Sequence, residues 1–195
     1  LLVSRIRVTL FGRENFDSSR SYIFMSNHQS NFDIPVLLAH LRCQFRWLAK
    51  AELFKIPIFG RGMRGAGYIP IDRSDRRAAI RSLQEAAETI RKGTSVMIFP
   101  EGTRSRDGVL QSFKKGGFFL ALDAGVPIVP VLIHGTFQIM PRNRLRIRSG
   151  RVCVQILDPI ETAGYSRSQR NELMETVRSR MLEAQQRLAE GGSPC

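Results

Sequence analysis

A chain of 195 residues, 43% of them hydrophobic, can bury one sizeable core and is short for two, so a single domain over 1–195 is expected. Its 30 Lys and Arg against 17 Asp and Glu leave a formal net charge of +13, which favours an anionic partner such as phospholipid, nucleic acid or a phosphorylated small molecule without choosing among them. Cys43, Cys153 and Cys195 are spaced too widely to suggest a disulfide framework or a zinc site and fit a reducing cytoplasm; no apolar run approaches the roughly 18 residues of a membrane span.

The chain opens at Leu1 with no initiator Met, so a leading segment is expected to be missing from it. Short segments rich in β-branched and aromatic residues at 6–11, 21–26, 43–49, 67–71, 95–99 and 126–133 predict strands. Helical patterns lie between them: 34–41, Arg76 to Lys92 with Ile80, Leu83, Ala87 and Ile90 on one face, and 115–124 ahead of Gly125. Strand and helix in alternation predict an α/β fold with a mostly parallel central sheet flanked by helices. Two further strands, 144–148 and 151–157, are expected to form a hairpin through Ser149 and Gly150. An amphipathic helix near 167–190 follows, with Leu173, Val177, Met181, Ala184 and Leu188 as its stripe.

One stretch has no folding rationale. "NHQSNFD", 27–33, sets a polar cluster between two segments that read as core. His28 and Asp33 are five residues apart, which on a helix leaves side chains about 140° apart and on a strand puts them on opposite faces. They can meet only across a turn, which the sequence supplies: the strand ends at Asn27, Ser30 or Asn31 can cap a helix, and Pro35 suits a first helical turn. A carboxylate holding one imidazole nitrogen leaves the other free as a general base. The same two residues also read as a helix cap and a polar loop residue. No GxSxG elbow accompanies them, so the hydroxyl such a base activates belongs to a substrate.

Two more segments end strands in polar residues. "GAGYIPIDR", 65–73, delivers Asp72 and Arg73, and "VMIFPEGTRS", 96–105, delivers Glu101, Gly102, Thr103 and Arg104. Ligands of open α/β sheets bind beyond the carboxyl ends of strands, so these residues can share a rim with His28. The two Arg side chains offer planar forks suited to a phosphate, and Gly102 permits close backbone approach.

"NHQSNFD" resembles the NHxxxxD motif of the glycerolipid acyltransferases. "GYIPIDR" resembles the family's second block, "FPEGTRS" its third and "VPIVPV" at 126–131 its fourth, and "KAELFKIPIFG" at 50–60 is similar to the segment before the second block. Order and spacing agree over about residues 10–160. Pro70 departs from the aromatic or aliphatic residue expected there and points to a sheet edge or bulge.

The resemblance implies that His28 is the catalytic base and Asp33 its orienting partner. Arg73, Glu101, Gly102, Thr103 and Arg104 would then bind the glycerol phosphate acceptor, with Lys50 and Lys114 as further phosphate contacts, and the fourth block would shape an acyl or donor wall. The implied reaction moves a fatty acyl group from acyl-CoA or acyl carrier protein, as co-substrate, to the sn-2 hydroxyl of a lysophospholipid acceptor, 1-acylglycerol 3-phosphate, with no metal and no cofactor. Glycerol 3-phosphate or another lysolipid is the alternative acceptor.

Acyl chains require access to a bilayer. Arg142, Arg144, Arg146, Arg148 and Arg151 form an acid-free run whose even-numbered members on a strand make one basic face, and 53–65 mixes apolar residues with Arg61 and Arg64. Both are expected to meet an anionic membrane surface. The expected location is the cytoplasmic face of a membrane, peripheral or anchored by a segment absent from this chain. A non-enzymatic basic module that binds membrane or nucleic acid is the rival from another class. One Trp, three Tyr and no zinc-finger spacing speak against it, and no nucleic-acid partner is expected.

Overall fold

Parallel strands buried on both faces read as near-continuous apolar runs, and such runs form the middle of the sheet. A computed structural model of the chain describes residues 5–72, 74–141 and 147–190. Its strands are β1 (Ile6–Phe11), β2 (Ile23–Ser26), β3 (Arg46–Lys50), β4 (Ile69–Ile71), β5 (Val96–Ile98), β6 (Ile128–His134) and β7 (Gly150–Ile156). They make one seven-stranded sheet in the order β1-β7-β6-β2-β5-β3-β4. From β6 to β4 every neighbouring pair is parallel, whereas β7 runs antiparallel to β6 and carries β1 parallel to itself. The carboxyl ends of β2, β3, β4, β5 and β6 therefore point to one pole.

The helices are α1 (Asp33–His40), α2 (Phe59–Gly65), α3 (Arg76–Arg91), α4 (Lys115–Ala124), α5 (Thr136–Ile139) and α6 (Arg170–Ala189). One face of the sheet packs Ile23, Met25, Val96 and Ile98 against Ala86, Ala87 and Ile90 of α3, Phe118 and Leu120 of α4, and Leu173, Val177, Met181 and Ala184 of α6. The other face packs Phe24, Trp47, Met97, Val129 and Val154 against Val36 and Leu37 of α1. The α6 residues are fully buried, as their spacing predicts. Asp75 caps α3, its side chain accepting from the N–H groups of Arg77 and Ala78.

Three expectations are corrected. The hairpin is not formed in its described part: residues 147–149 are irregular, β7 has β1 on one side and β6 on the other, and 142–146 lie outside the described residues. The basic face imagined on that strand does not form at Ile147 or Arg148. The 53–65 segment, the second expected membrane contact, lies in a 3-10 turn (Ala51–Lys55) and α2. Cys153 is disulfide-bonded although sequence spacing suggested no bridge, since spacing says nothing of which distant residues the fold brings together. Pro70 sits in β4, the outermost strand, where a missing N–H is tolerated.

Candidate active site

The β2–α1 connection is built around one carboxylate oxygen. Asp33 opens α1 and is fully buried. Its Oδ2 accepts from the backbone N–H of Gln29 (2.7 Å) and of Ser30 (2.8 Å) and lies 2.7 Å from His28 Nδ1. An oxygen that gathers backbone donors is an acceptor, so Nδ1 carries the proton and Nε2 keeps the lone pair. No described residue hydrogen-bonds Nε2, and 14% of the His28 side chain is exposed. The ring lies flat on Phe99, centroids 3.8 Å apart and planes at 8°, and Phe99 in turn stacks on Trp47. Partner and platform together leave the imidazole one orientation.

The cap expected from Ser30 or Asn31 is not made in that form. Phe32 occupies the N-cap position with no side-chain bond, while Ser30 Oγ accepts from the Phe32 N–H and donates to the Met140 carbonyl. Asn27 is a structural residue. Its amide donates to the Ile133 carbonyl (2.8 Å) and accepts from the Ile133 N–H (2.7 Å), extending the β2–β6 ladder by one side chain. The fourth block runs into β6, whose Ile128, Val129 and Val131 are core residues with no exposure. It supplies packing; Ile133, just beyond it in β6, anchors Asn27, and none of residues 126–131 lines the pocket at Gly102 and Lys114.

Glu101 is where the structure departs furthest from expectation. It is 2% exposed, and its two oxygens are taken by the backbone N–H of His28 (2.7 Å) and of Gln111 (2.9 Å). A buried carboxylate used in this way braces the His28 loop and adds nothing that attracts a phosphate. Burial pushes its carboxyl up to about 7, against the two backbone bonds that pull it down, with Asp33 and Asp107 adding repulsion. The sequence missed this role because donors on the backbone leave no signature in residue type. The Ser105 N–H also donates to the His28 carbonyl (2.7 Å), and the Gln29 side chain donates to the Gly108 carbonyl.

The strand order sets the loops after β2, β5, β3 and β4 side by side, and the other described candidates fall on that rim. Gly102 adopts φ 74, a left-handed turn that closes its N–H onto the Phe99 carbonyl. Thr103 is exposed and Arg104 half-buried beside it. Lys50 ends β3, exposed, and exposed Lys114 donates its N–H to the Pro100 carbonyl. Arg73 lies outside the described residues. Gly102 and Lys114 stand at a pocket of about 300 Å³ whose other walls include Leu48, Ile71, Leu83, Ile98 and Phe99. That apolar volume is of the size used for small ligands. Cys43 is a free thiol whose burial pushes its pKa up to about 11, which removes it as a nucleophile.

A family model described as Acyltransferase matches residues 7–134. The chain is 43% identical over 156 residues to the chloroplastic 1-acyl-sn-glycerol-3-phosphate acyltransferase of Arabidopsis thaliana, an alignment covering 79% of this chain and 44% of that protein. It is 35% identical over 178 residues to 1-acyl-sn-glycerol-3-phosphate acyltransferase alpha of Homo sapiens, covering 91% and 63%. The crystal structure of the 1-acyl-sn-glycerophosphate acyltransferase PlsC from Thermotoga maritima superposes with a TM-score of 0.82 at 34% identity, covering 94% of this chain and 72% of that one. The chain spans about half the length of the curated relatives it matches. On the matched span, the identities and the shared fold, this chain belongs to the acyltransferase family.

Proposed function

We propose that the protein transfers a fatty acyl group from acyl-CoA or acyl carrier protein to the sn-2 hydroxyl of 1-acylglycerol 3-phosphate, giving phosphatidic acid. The observation that carries the reading is the His28 Nδ1 to Asp33 Oδ2 contact of 2.7 Å, which leaves Nε2 as a base at an open rim. Nε2 takes the proton from the acceptor hydroxyl as its oxygen bonds to the thioester carbonyl carbon. The tetrahedral intermediate collapses, the C–S bond breaks, and the departing thiolate takes the proton back from the imidazolium. Asp33 stabilises that transient charge. The N–H groups of His28, Gln29, Ser30 and Gly102 are already committed, so the oxyanion is met by other donors.

Arg104, Arg73, Lys50 and Lys114 receive the acceptor phosphate in this reading, and the apolar pocket beside Gly102 takes an acyl chain. The relatives named for 1-acyl-sn-glycerol-3-phosphate support the choice of acceptor. The substrates are lipids, so the protein works at a membrane surface, on its cytoplasmic face; among the described residues no helix is long and apolar enough to cross a membrane.

The test is thiol release from acyl-CoA, and then from acyl carrier protein, with and without the acceptor. Acceptor-dependent release is expected. Release that is faster with glycerol 3-phosphate than with its 1-acyl form overturns the assigned acceptor. Arg104→Ala is expected to raise the acceptor KM at least about tenfold with little change for the donor, as loss of a charged hydrogen bond predicts. An equal rise in both KM values removes Arg104 from the phosphate site.

A further inference from the structure

The loop after β3 carries four exposed apolar side chains: Ile58 at 83%, Phe59 at 55%, Ile56 at 46% and Leu53 at 37%. Scattered singly such residues are ordinary, but these lie within seven positions and share one pole. Ile58 adopts φ 64, ψ −60, and the Phe59 N–H donates to the Pro57 carbonyl across it at 2.6 Å. That is a γ-turn of the strained, positive-φ kind, with a β-branched residue at its apex. In water neither the strain nor the exposure is compensated. Strain persists only where the surroundings enforce it, and here they do. Phe54 and Met63 are buried beneath the loop, and Arg64 Nη1 donates to the Phe54 carbonyl (2.7 Å). Gly60 packs so closely that a Cβ there would fall 2.1 Å from the Phe54 oxygen. The anchors hold the tip outward.

We propose that Leu53–Phe59 is a wedge that enters the headgroup region of an anionic lipid bilayer, with Ile58 at its point, and presents the active-site rim to the membrane. Lys55 and Arg61 are exposed on either side of the tip, and Glu52 is the single acid between positions 51 and 65. Apolar residues flanked by cations match an interface of acyl chains beneath negative headgroups. The sheet order sets this loop beside the 99–105 loop, which stacks on and braces His28 and walls the apolar pocket. A lipid leaving the bilayer at the wedge therefore has a short path to the site; this purpose rests on the acyltransferase reading.

The experiment floats the 195-residue chain with vesicles of phosphatidylcholine alone or mixed with phosphatidylglycerol, comparing wild type, Ile58→Asp and Ile58→Gly. Thermal melts and turnover on short-chain, water-soluble substrates accompany it. Wild type is expected to float with the anionic vesicles, and both variants to lose about tenfold in partition, the scale of removing one buried Ile from the interface. Ile58→Gly also raises Tm, because Gly takes positive φ without strain, and both variants turn over water-soluble substrates at the wild-type rate. Unchanged partition in Ile58→Asp overturns the wedge. So does a wild type that ignores both vesicles, including one that sediments as a dimer dissociated by Ile58→Asp. Vesicle binding that depends on Ile58 in a protein inert on every acyl substrate upholds the wedge and rejects the acyltransferase reading instead.

Discussion

His28→Ala lowers kcat by about 10²–10⁴-fold, the range of a positioned general base, and leaves the melting temperature close to that of the wild type. The imidazole makes one side-chain hydrogen bond and one ring stack, whereas the loop is held by backbone contacts of residues 28–30 that survive truncation. Asp33→Asn loses activity on a similar scale and stability as well. Its oxygen can still meet the three donors, but its NH2 then occupies the place of Oδ1, which is buried with no partner. Two unsatisfied donors there cost about 1–3 kcal/mol. Thiol release and thermal melts check both variants. A His28→Ala protein that keeps more than about a tenth of the wild-type rate rejects the base, whatever the motif.

The contact between His28 and Asp33 was legible in the sequence because a spacing of five can close only across a turn, and the strand end at Asn27 with Pro35 in the first helical turn marks one. The parallel strands were legible for a similar reason, as β2, β5 and β6 are short apolar runs with clear stops. The hairpin failed where periodicity ceased to be local. Ile147 and Arg148 continue an alternation that reads as a strand, yet the described residues 147–149 are irregular and β7 has β1 on one side and β6 on the other. Pairing with a strand some 140 positions away in sequence has no local trace, as the Ile6 to Gly150 register shows. Helix α2 was hidden by composition: Gly60, Gly62 and Gly65 in seven residues give a poor intrinsic helix former. It forms because Gly60 lets the turn pack against the Phe54 backbone, a tertiary gain that outweighs propensity.

The family resemblance gives Glu101 to the acceptor while its oxygens meet the His28 and Gln111 backbone, and its substitution separates the two readings. Glu101→Gln cannot accept both the His28 and the Gln111 N–H, because one end of the amide is now a donor. With one brace lost the loop shifts, and kcat falls by up to about 10²-fold, as small misplacements of a reacting group do. The acceptor KM stays near its wild-type value if Glu101 positions His28, and rises if it touches the acceptor. A pH signature distinguishes the variant further. Unfolded, Glu101 loses its proton near 4.5; folded, it keeps the proton up to about 7, chiefly because burial disfavours the charge. Between those values the folded state binds more protons than the unfolded state. Stability from this group is therefore fully present below pH 4.5 and is lost as pH rises through 7, by about 3 kcal/mol in all. Gln does not titrate, so chemical denaturation across that window should show a flatter stability curve for the variant than for the wild type. Parallel curves, with an acceptor KM raised tenfold or more, would return Glu101 to the substrate and take the brace away from His28.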